Sequence, residues 1–209
     1  MHYETMKIDL HVHTKERSSC GKSSEEEQVL AAIDAGLDAI VFSDHDRLAP
    51  VARIQFLNDK YTPFKIFGGI ELSIWDIHKL AFEHLLVLGV QDHLLEQQWS
   101  YPDLHRFVHE RRGFLAIAHP FRFNSAITCD LDGFPPDAIE AYSNNISKQS
   151  ESKLLNLAHH LGVPILSNSD AHHTGTIGRY YNLLPQTPAD DQELIELLKA
   201  GQYSCVSPH

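Results

Sequence analysis

Short apolar, β-branched runs alternate along the chain with segments whose apolar residues recur every three or four positions. Polar residues gather where one kind of segment gives way to the other. The first run, Lys7–Val12, reads as a strand ending in His11-Val12-His13. Ser23-Ser24-Glu25-Glu26-Glu27 has the hydroxyl caps and acidic first turn of a helix start. That helix continues through Val29, Leu30 and Ile33 and stops at Gly36. A second strand, Asp38–Phe42, leads into Ser43-Asp44-His45-Asp46, and a helix follows around Val51–Asn58. Lys65–Ile70 is a third strand ending at Glu71, and Glu83–Val90 a fourth with His84 near its start. Tyr101–Arg112 is a helix closed by Gly113. Phe114–Ala118 is a fifth strand ending at His119-Pro120, and Ala138–Tyr142 a sixth. Lys148–Leu161 is a helix stopped by Gly162, and Pro164–Leu166 a seventh strand before Asn168-Ser169-Asp170. A last helix over Pro188–Ala200 and a short closing strand at Tyr203–Val206 complete the chain.

Strands alternating with helices imply a mainly parallel sheet with right-handed crossovers, either open and doubly wound or closed into a barrel. The polar clusters choose between them. His11, His13, Asp44, His45, Glu71, His119 and Asp170 all fall at or just after the carboxyl ends of expected strands. In a barrel those ends ring one mouth, whereas an open sheet offers a single crevice served by only some of them. The expected fold is therefore α/β, a distorted (β/α)7 TIM-like barrel with its site at the C-terminal ends of the strands. It is smaller than the roughly 250 residues of a regular eightfold barrel. No linker, internal repeat or low-complexity segment divides residues 1–209, so a single domain is expected.

Composition narrows the function. Hydrophobic residues are 43% and charged residues 22% of 209, the proportions of a soluble globular protein. No apolar run approaches the roughly 18 residues of a membrane span, and Met1–Asp9 lacks the apolar stretch of a signal peptide. Cys20, Cys129 and Cys205 are too few and too dispersed for a disulfide framework or a thiolate zinc module. A cytoplasmic location, with no membrane partner, is the expectation. The formal net charge of -11 disfavours stable binding to nucleic acid. It leaves a phosphorylated small molecule open, because bound cations can invert the local potential. Fifteen histidines are an excess that packing does not explain, and they point to metal or acid-base chemistry.

The candidate chemistry lies at the strand ends. Residues i and i+2 of a strand share a face, so His11 and His13 can reach one ion, although an isolated HxH also occurs on ordinary surface strands. An Asp-His-Asp cluster leaving the apolar run Ala39–Phe42 is hard to explain by packing, since unpaired buried charge is expensive. Its plainer explanation is a helix cap at Ser43 or Asp44. Glu71 follows Gly68-Gly69-Ile70, where small residues allow close backbone approach and a carboxylate can bridge two cations. The alternative there is an exposed strand end. His84 before Leu85-Leu86-Val87-Leu88 is equally readable as a core histidine. His119 sits at the tip of a buried strand, and Asp170-Ala171-His172 repeats the i, i+2 geometry. Six histidines and two carboxylates without thiolate suit Zn, Mn or Fe, and eight donors exceed the need of one ion. The other histidines are expected to be solvated, with His78 and His173 the nearest to the site.

These motifs together resemble the PHP (polymerase and histidinol phosphatase) domain family. The resemblance covers HxH at His11 and His13, the DH of Ser43-Asp44-His45-Asp46, a GxE-like Glu71, a strand histidine at His84, the AHP of Ala118-His119-Pro120 and the DAH of Asp170–His172. It implies a distorted seven-stranded β/α barrel, two or three divalent metal ions and phosphoester hydrolysis. By position it implies that His11, His13, Glu71 and Asp170 hold a first metal, that Glu71 bridges to a second held by His84 and His119, and that His45 and His172 serve a third. Many relatives place an Asp or His several residues after HxH; here Ser18, Ser19 and Cys20 occupy that stretch. Two tight metals and a labile third are expected.

The implied reaction is attack of a metal-activated water on a small phosphorylated metabolite or nucleotide-like phosphoester. Arg122 is the candidate for gripping phosphate, ahead of Arg179 and Lys15. Asp44 and Asp46 are candidates for orienting histidine ligands from behind, and Glu140 and Asn144 for lining the pocket. Two other classes stand beside this reading: a metal-dependent amidohydrolase using the same activated water, and a non-catalytic, metal-stabilised binding module.

Overall fold

The computed structural model describes residues 5–76 and 81–208. Among these residues nine strands form one sheet in the order β7-β6-β5-β4-β3-β2-β1-β8-β9. They are β1 (Met6–Val12), β2 (Ala39–Phe42), β3 (Lys65–Asp76), β4 (Ala81–Leu88), β5 (Phe114–Ala118), β6 (Ala138–Tyr142), β7 (Ile165–Ser167), β8 (Tyr181–Leu184) and β9 (Ser204–Val206). Among the described residues five α-helices intervene: α1 (Glu25–Asp34), α2 (Val51–Tyr61), α3 (Tyr101–Glu110), α4 (Lys148–Leu161) and α5 (Asp191–Lys199). Local chemistry sets their ends as the sequence suggests. Ser24 and Glu27 form a reciprocal capping box at α1, and Gly162 ends α4 in the left-handed conformation at φ 68°.

The sheet curls into a nearly closed barrel, as expected, but it is not uniformly parallel. Strand β4 runs antiparallel to both β3 and β5, and β8 runs antiparallel to both β1 and β9. Strand β3 does not end at Glu71. It continues to Asp76 because Glu71, Ser73 and Trp75 alternate with Ile70, Leu72 and Ile74, a period-two pattern that sustains a strand. Reversal of β4 also explains why His84, near the start of its strand, meets residues from strand ends elsewhere. Strand β8 was not expected; four residues interrupted by a polar Asn182 carry little periodic signal.

Closure depends on side chains. Asn182 accepts from Ser167 N at 3.1 Å and donates to Ser167 O at 2.8 Å, so an amide side chain imitates a backbone ladder between β8 and β7. Ser167 Oγ donates to Val206 O at 2.6 Å and completes the seam against β9. Inside the barrel, Ile8, Leu10, Val41, Phe67, Leu86, Leu88, Phe114 and Leu166 form a continuous core, into which Leu194, Ile195 and Leu198 of α5 also pack. Apolar side chains from α1, α2, α3 and α4 pack in separate clusters with the strands. Gly69 permits the close approach of β3 to its neighbours, since a Cβ there would lie 2.7 Å from Leu88 Cδ2. Among the described residues no helix is long and apolar enough to cross a membrane.

Candidate metal centre

At one rim of the barrel the structure gathers all eight side chains singled out as metal ligands. They fall into three groups of mutually close donor atoms: His11, Glu71, His119 and Asp170; His45, Glu71 and His84; and His13, His45 and His172. Glu71 is shared by two groups and His45 by two. The division implied by the resemblance is cut differently here, for His119 lies with His11, and His13 lies with His45 and His172. Cys20 belongs to none of the groups.

Glu71 is the hub. Its Oε1 lies 2.8 Å from His84 Nδ1 and 2.9 Å from His119 Nε2, and its Oε2 lies 3.0 Å from His45 Nδ1 and 3.2 Å from His13 Nε2. Asp170 Oδ1 stands 3.0 Å from His13 Nε2 and 3.5 Å from His11 Nε2. Glu71, His11 and His13 are fully buried. The backbone holds the loops to this hub: Asp46 N donates to Glu71 O at 2.9 Å, and Glu71 N donates to Asp44 O at 3.1 Å. Asp46, His119, Phe121 and Asp170 adopt positive φ angles of 53°, 28°, 65° and 50°. Such conformations cost non-glycine residues about 1–3 kcal/mol each and persist where surrounding contacts fix them, often at functional sites.

Behind the donors lies a set of side chains that fixes ring orientation. His11 Nδ1 donates to Glu140 Oε1 at 3.1 Å, while Glu140 Oε2 accepts from His119 N at 2.8 Å. Asn168 Nδ2 donates to Glu140 Oε1 at 2.9 Å, and Asn182 Nδ2 donates to Asn168 Oδ1 at the same distance. His13 Nδ1 donates to Ser18 Oγ at 3.2 Å, and Ser18 Oγ donates to Asp44 Oδ1 at 2.7 Å. Asp44 accepts further from Thr14 N, Thr14 Oγ1 and Arg17 Nε. Asp44 therefore acts on His13 through Ser18. Asp46 is exposed, and its Oδ1 accepts from Ser73 N rather than reaching an imidazole.

With each Nδ1 committed to a carboxylate or hydroxyl acceptor, the Nε2 atoms of His11 and His13 face one another at 3.0 Å. Two neutral rings so oriented point lone pairs at each other, an arrangement stabilised only by a shared proton or cation. Glu71 Oε2, Asp170 Oδ1 and His84 Nδ1 are buried without a hydrogen-bond partner, although other donor atoms crowd them. Buried polar atoms are ordinarily satisfied, and carboxylate and imidazole atoms facing a common point fit divalent cations of the Zn, Mn or Fe type. The protonation pattern carries the same tension. Burial disfavours charge on His13, yet the adjacent carboxylates of Asp170 and Glu71 outweigh it and hold its pKa up at about 9. Burial opposes His11 as well, and the negative charges of Glu71, Asp170 and Glu140 raise it well above the ordinary imidazole value. Glu71 is held well below the carboxylate range, burial being overcome by His11 and His84. Burial, with the neighbouring His13, lowers His172 to about 4.

Beside the donors a cleft of about 510 Å³ is lined by Lys22, Arg122, Asn144, Asn145, Asp170 and His172, among others. Arg122 Nη1 pairs with Asp170 Oδ2 at 3.0 Å, and the Arg122 side chain remains 30% exposed. Asn144 lines this cleft as expected; Glu140 does not, being buried behind His11. Lys15 lies by Glu27 at 3.9 Å, and Arg179 is exposed; neither lines the cleft. His173 is exposed at the cleft edge, and His78 lies outside the described residues. The sequence reading passed over Asp9 and Gln28. Asp9 Oδ1 accepts from His11 N at 3.2 Å and Ser169 N at 3.0 Å, and burial pushes its pKa up to about 7. Gln28 Nε2 donates to His13 O at 2.9 Å and Ala171 O at 3.1 Å. The available signal was a charged residue inside an apolar strand, as in Ile8-Asp9-Leu10 and Ile139-Glu140-Ala141.

A barrel-like α/β fold with imidazoles and carboxylates massed at one rim invites comparison with PHP-like proteins. A family model described as PHP-associated matches residues 152–203, which include Asp170 and His172. A phosphoribosyl 1,2-cyclic phosphate 1,2-diphosphodiesterase of Eggerthella lenta is 31% identical over 84 residues, a match spanning 40% of this chain and 31% of that protein. Among known structures, a two-domain protein from Bacteroides vulgatus containing a predicted PHP-like metal-dependent phosphoesterase is similar at a TM-score of 0.70 and 16% identity. The likeness covers 98% of this chain and 65% of that one. An amidohydrolase from Chromobacterium violaceum, with bound sulfate and no metal, is similar at a TM-score of 0.70 and 16% identity, over 94% of this chain and 97% of that one. With the motifs described above, these findings support assignment of the chain to the PHP domain family.

Proposed function

We propose that the protein is a metal-dependent phosphoesterase acting on a small phosphorylated substrate. One observation carries the reading: Glu71 Oε2 and Asp170 Oδ1 are buried, lack hydrogen-bond partners and face the Nε2 atoms of His11 and His13. His11, His13, His45, Glu71, His84, His119, Asp170 and His172 are the proposed ligands of two or three divalent ions of the Mn, Fe or Zn type. Bound there, such ions supply positive charge for phosphoryl oxygens and acidify water for in-line attack.

The remaining roles belong to the chain's own residues. Glu140 holds His11 with its proton on Nδ1, and the Ser18–Asp44 pair does the same for His13, leaving both Nε2 atoms free to ligate. Asn168 and the backbone N–H of His119 fix Glu140 in turn. Arg122 anchors Asp170 and, with Lys22, gives the cleft the cationic character that a phosphate dianion requires. Sulfate, a tetrahedral oxyanion like phosphate, binds the Chromobacterium violaceum relative, and the Eggerthella lenta relative is a phosphodiesterase by name. The amidohydrolase reading persists through the first of these two relatives. It is tested by offering amides beside phosphoesters.

The deciding experiment strips the purified protein, reloads it separately with Mn, Fe(II) or Zn, and measures phosphate release from a panel of small phosphoesters. The expected result is metal-dependent release reduced at least about a hundredfold in His119→Ala, since losing a ligand should cost no less than the roughly 10–100-fold lost with the side chains that orient ligands. No release with any metal, together with hydrolysis of an amide, overturns the proposal in favour of the amidohydrolase.

A further inference from the structure

The hairpin that carries Glu71 and His84 extends beyond them, and its register determines what it presents there. Ser73 pairs with His84 and Trp75 with Phe82 across the antiparallel β3–β4 ladder. Directly opposed residues share a face, as do residues two apart on one strand. Glu71, Ser73 and Trp75 therefore continue one face of β3, and His84 and Phe82 the matching face of β4. That face bears the donor atoms. The opposite one, with Ile70, Leu72, Ile74, Leu85 and Val87, is buried in the outer core. Phe123, on the loop after His119, joins from the other side.

The three rings form a contiguous wall. The Trp75 and Phe82 centroids are 4.8 Å apart, and those of Phe82 and Phe123 are 4.7 Å apart. The wall runs directly onto the donors, with Phe123 standing 5.3 Å from the His84 ring and 5.8 Å from the His119 ring. Trp75 is 60% exposed and Phe123 47% exposed. Large aromatic rings left in water beside a polar site mark a surface meant to be covered, and ring faces are best covered by other flat rings. The Arg122 guanidinium, 4.8 Å from the Phe123 centroid, stands between this wall and Asp170.

We propose that Trp75, Phe82 and Phe123 form a stacking subsite for a planar aromatic or heteroaromatic ring carried on the leaving-group side of the phosphoester. The substrate class is then a ring-bearing phosphate, either a nucleotide or a simple aryl phosphate, rather than an aliphatic sugar or polyol phosphate. This inference rests on the phosphoesterase reading for its catalytic consequence, but the subsite itself is a binding surface that can be tested without turnover.

Trp75 and Trp99 are the two tryptophans of the chain, so Trp99→Phe leaves Trp75 as the single indole reporter. In that background, with metal bound, a nucleoside monophosphate or phenyl phosphate should quench Trp75 emission saturably, and ribose 5-phosphate should not. A nucleotide response without a phenyl phosphate response identifies the nucleobase as the ring; equal responses identify any aryl group. Turnover gives the second arm. The ratio of kcat/KM for the ring-bearing ester over that for glycerol phosphate should fall about tenfold in Trp75→Ala/Phe123→Ala, within the range of base–aromatic stacking. An unchanged ratio, or quenching by ribose 5-phosphate equal to that by the nucleotide, overturns the subsite. So does Trp75 emission that depends on protein concentration and ignores every phosphate, which would show a second copy covering the wall. If no phosphoester turns over while quenching is ring-specific, the catalytic reading fails and the ring subsite stands.

Discussion

His11 and His13 show how a residue's chemistry here depends on what stands behind it. Each ring is tied at Nδ1, to Glu140 and to Ser18 respectively, so only Nε2 is left to face Glu71 and Asp170. In the metal-free protein a proton must relieve the resulting crowd, and the elevation of His13 to about 9 expresses this. The folded state then holds a proton that the unfolded chain begins to lose near pH 6.5. This contribution to stability is complete below 6.5 and disappears as pH rises through about 9. A cation competes for the same Nε2 atom, so metal binding near pH 7 should release at least one proton, and affinity should rise with pH up to about 9. Calorimetry of Zn or Mn binding in buffers of different ionisation enthalpy counts the protons; zero release at pH 7 contradicts this ring assignment. At this scale the convergence of the candidate ligands was legible because HxH, DH, AHP and DAH place imidazoles and carboxylates at strand tips. Their supports were less so. Glu140 and Asn168 come from β6 and the loop after β7, and no local spacing says that they converge on His11.

Elements were legible in proportion to their periodicity. Strands β5 and β6 and helix α4 run as the sequence indicates, with Gly113 before β5, Pro135-Pro136 before β6 and Gly162 after α4 as clear stops. The extension of β3 and the short β8 were missed for opposite reasons. A charged Glu71 imitates a strand end, and Asn182 in a four-residue strand hides one. Asn182 nevertheless helps to join the two ends of the barrel, beside the Ser167–Val206 bond. Asn182→Ala would leave the buried Ser167 N–H and C=O without their partners and remove the donor to Asn168. A loss of about 3 kcal/mol is expected from two unsatisfied groups, read as a lower urea midpoint in the metal-stripped protein. A change within about 0.5 kcal/mol, the range of an ordinary surface substitution, would show that the seam does not depend on this side chain.

Across the whole molecule, the barrel itself was implied by polar residues recurring at strand ends, and the curled sheet agrees. The antiparallel reversal of β4 was not, since nothing in an apolar run records its direction. That reversal has a functional result: it brings His84 and the ring-bearing hairpin to the same rim as His11, His119 and Asp170. The net charge of -11 repels phosphate at long range, so productive binding depends on cations inverting the potential at this rim. The central claim is thus that eight side chains, with Glu71 as hub, hold more than one ion. The most direct test is the metal content of the reloaded, desalted protein, measured by inductively coupled plasma mass spectrometry beside Glu71→Gln. At least two equivalents per chain are expected, falling by one or more when Glu71 can no longer serve two donor groups. One equivalent or fewer in the wild-type protein, or a content indifferent to Glu71→Gln, would contradict the account.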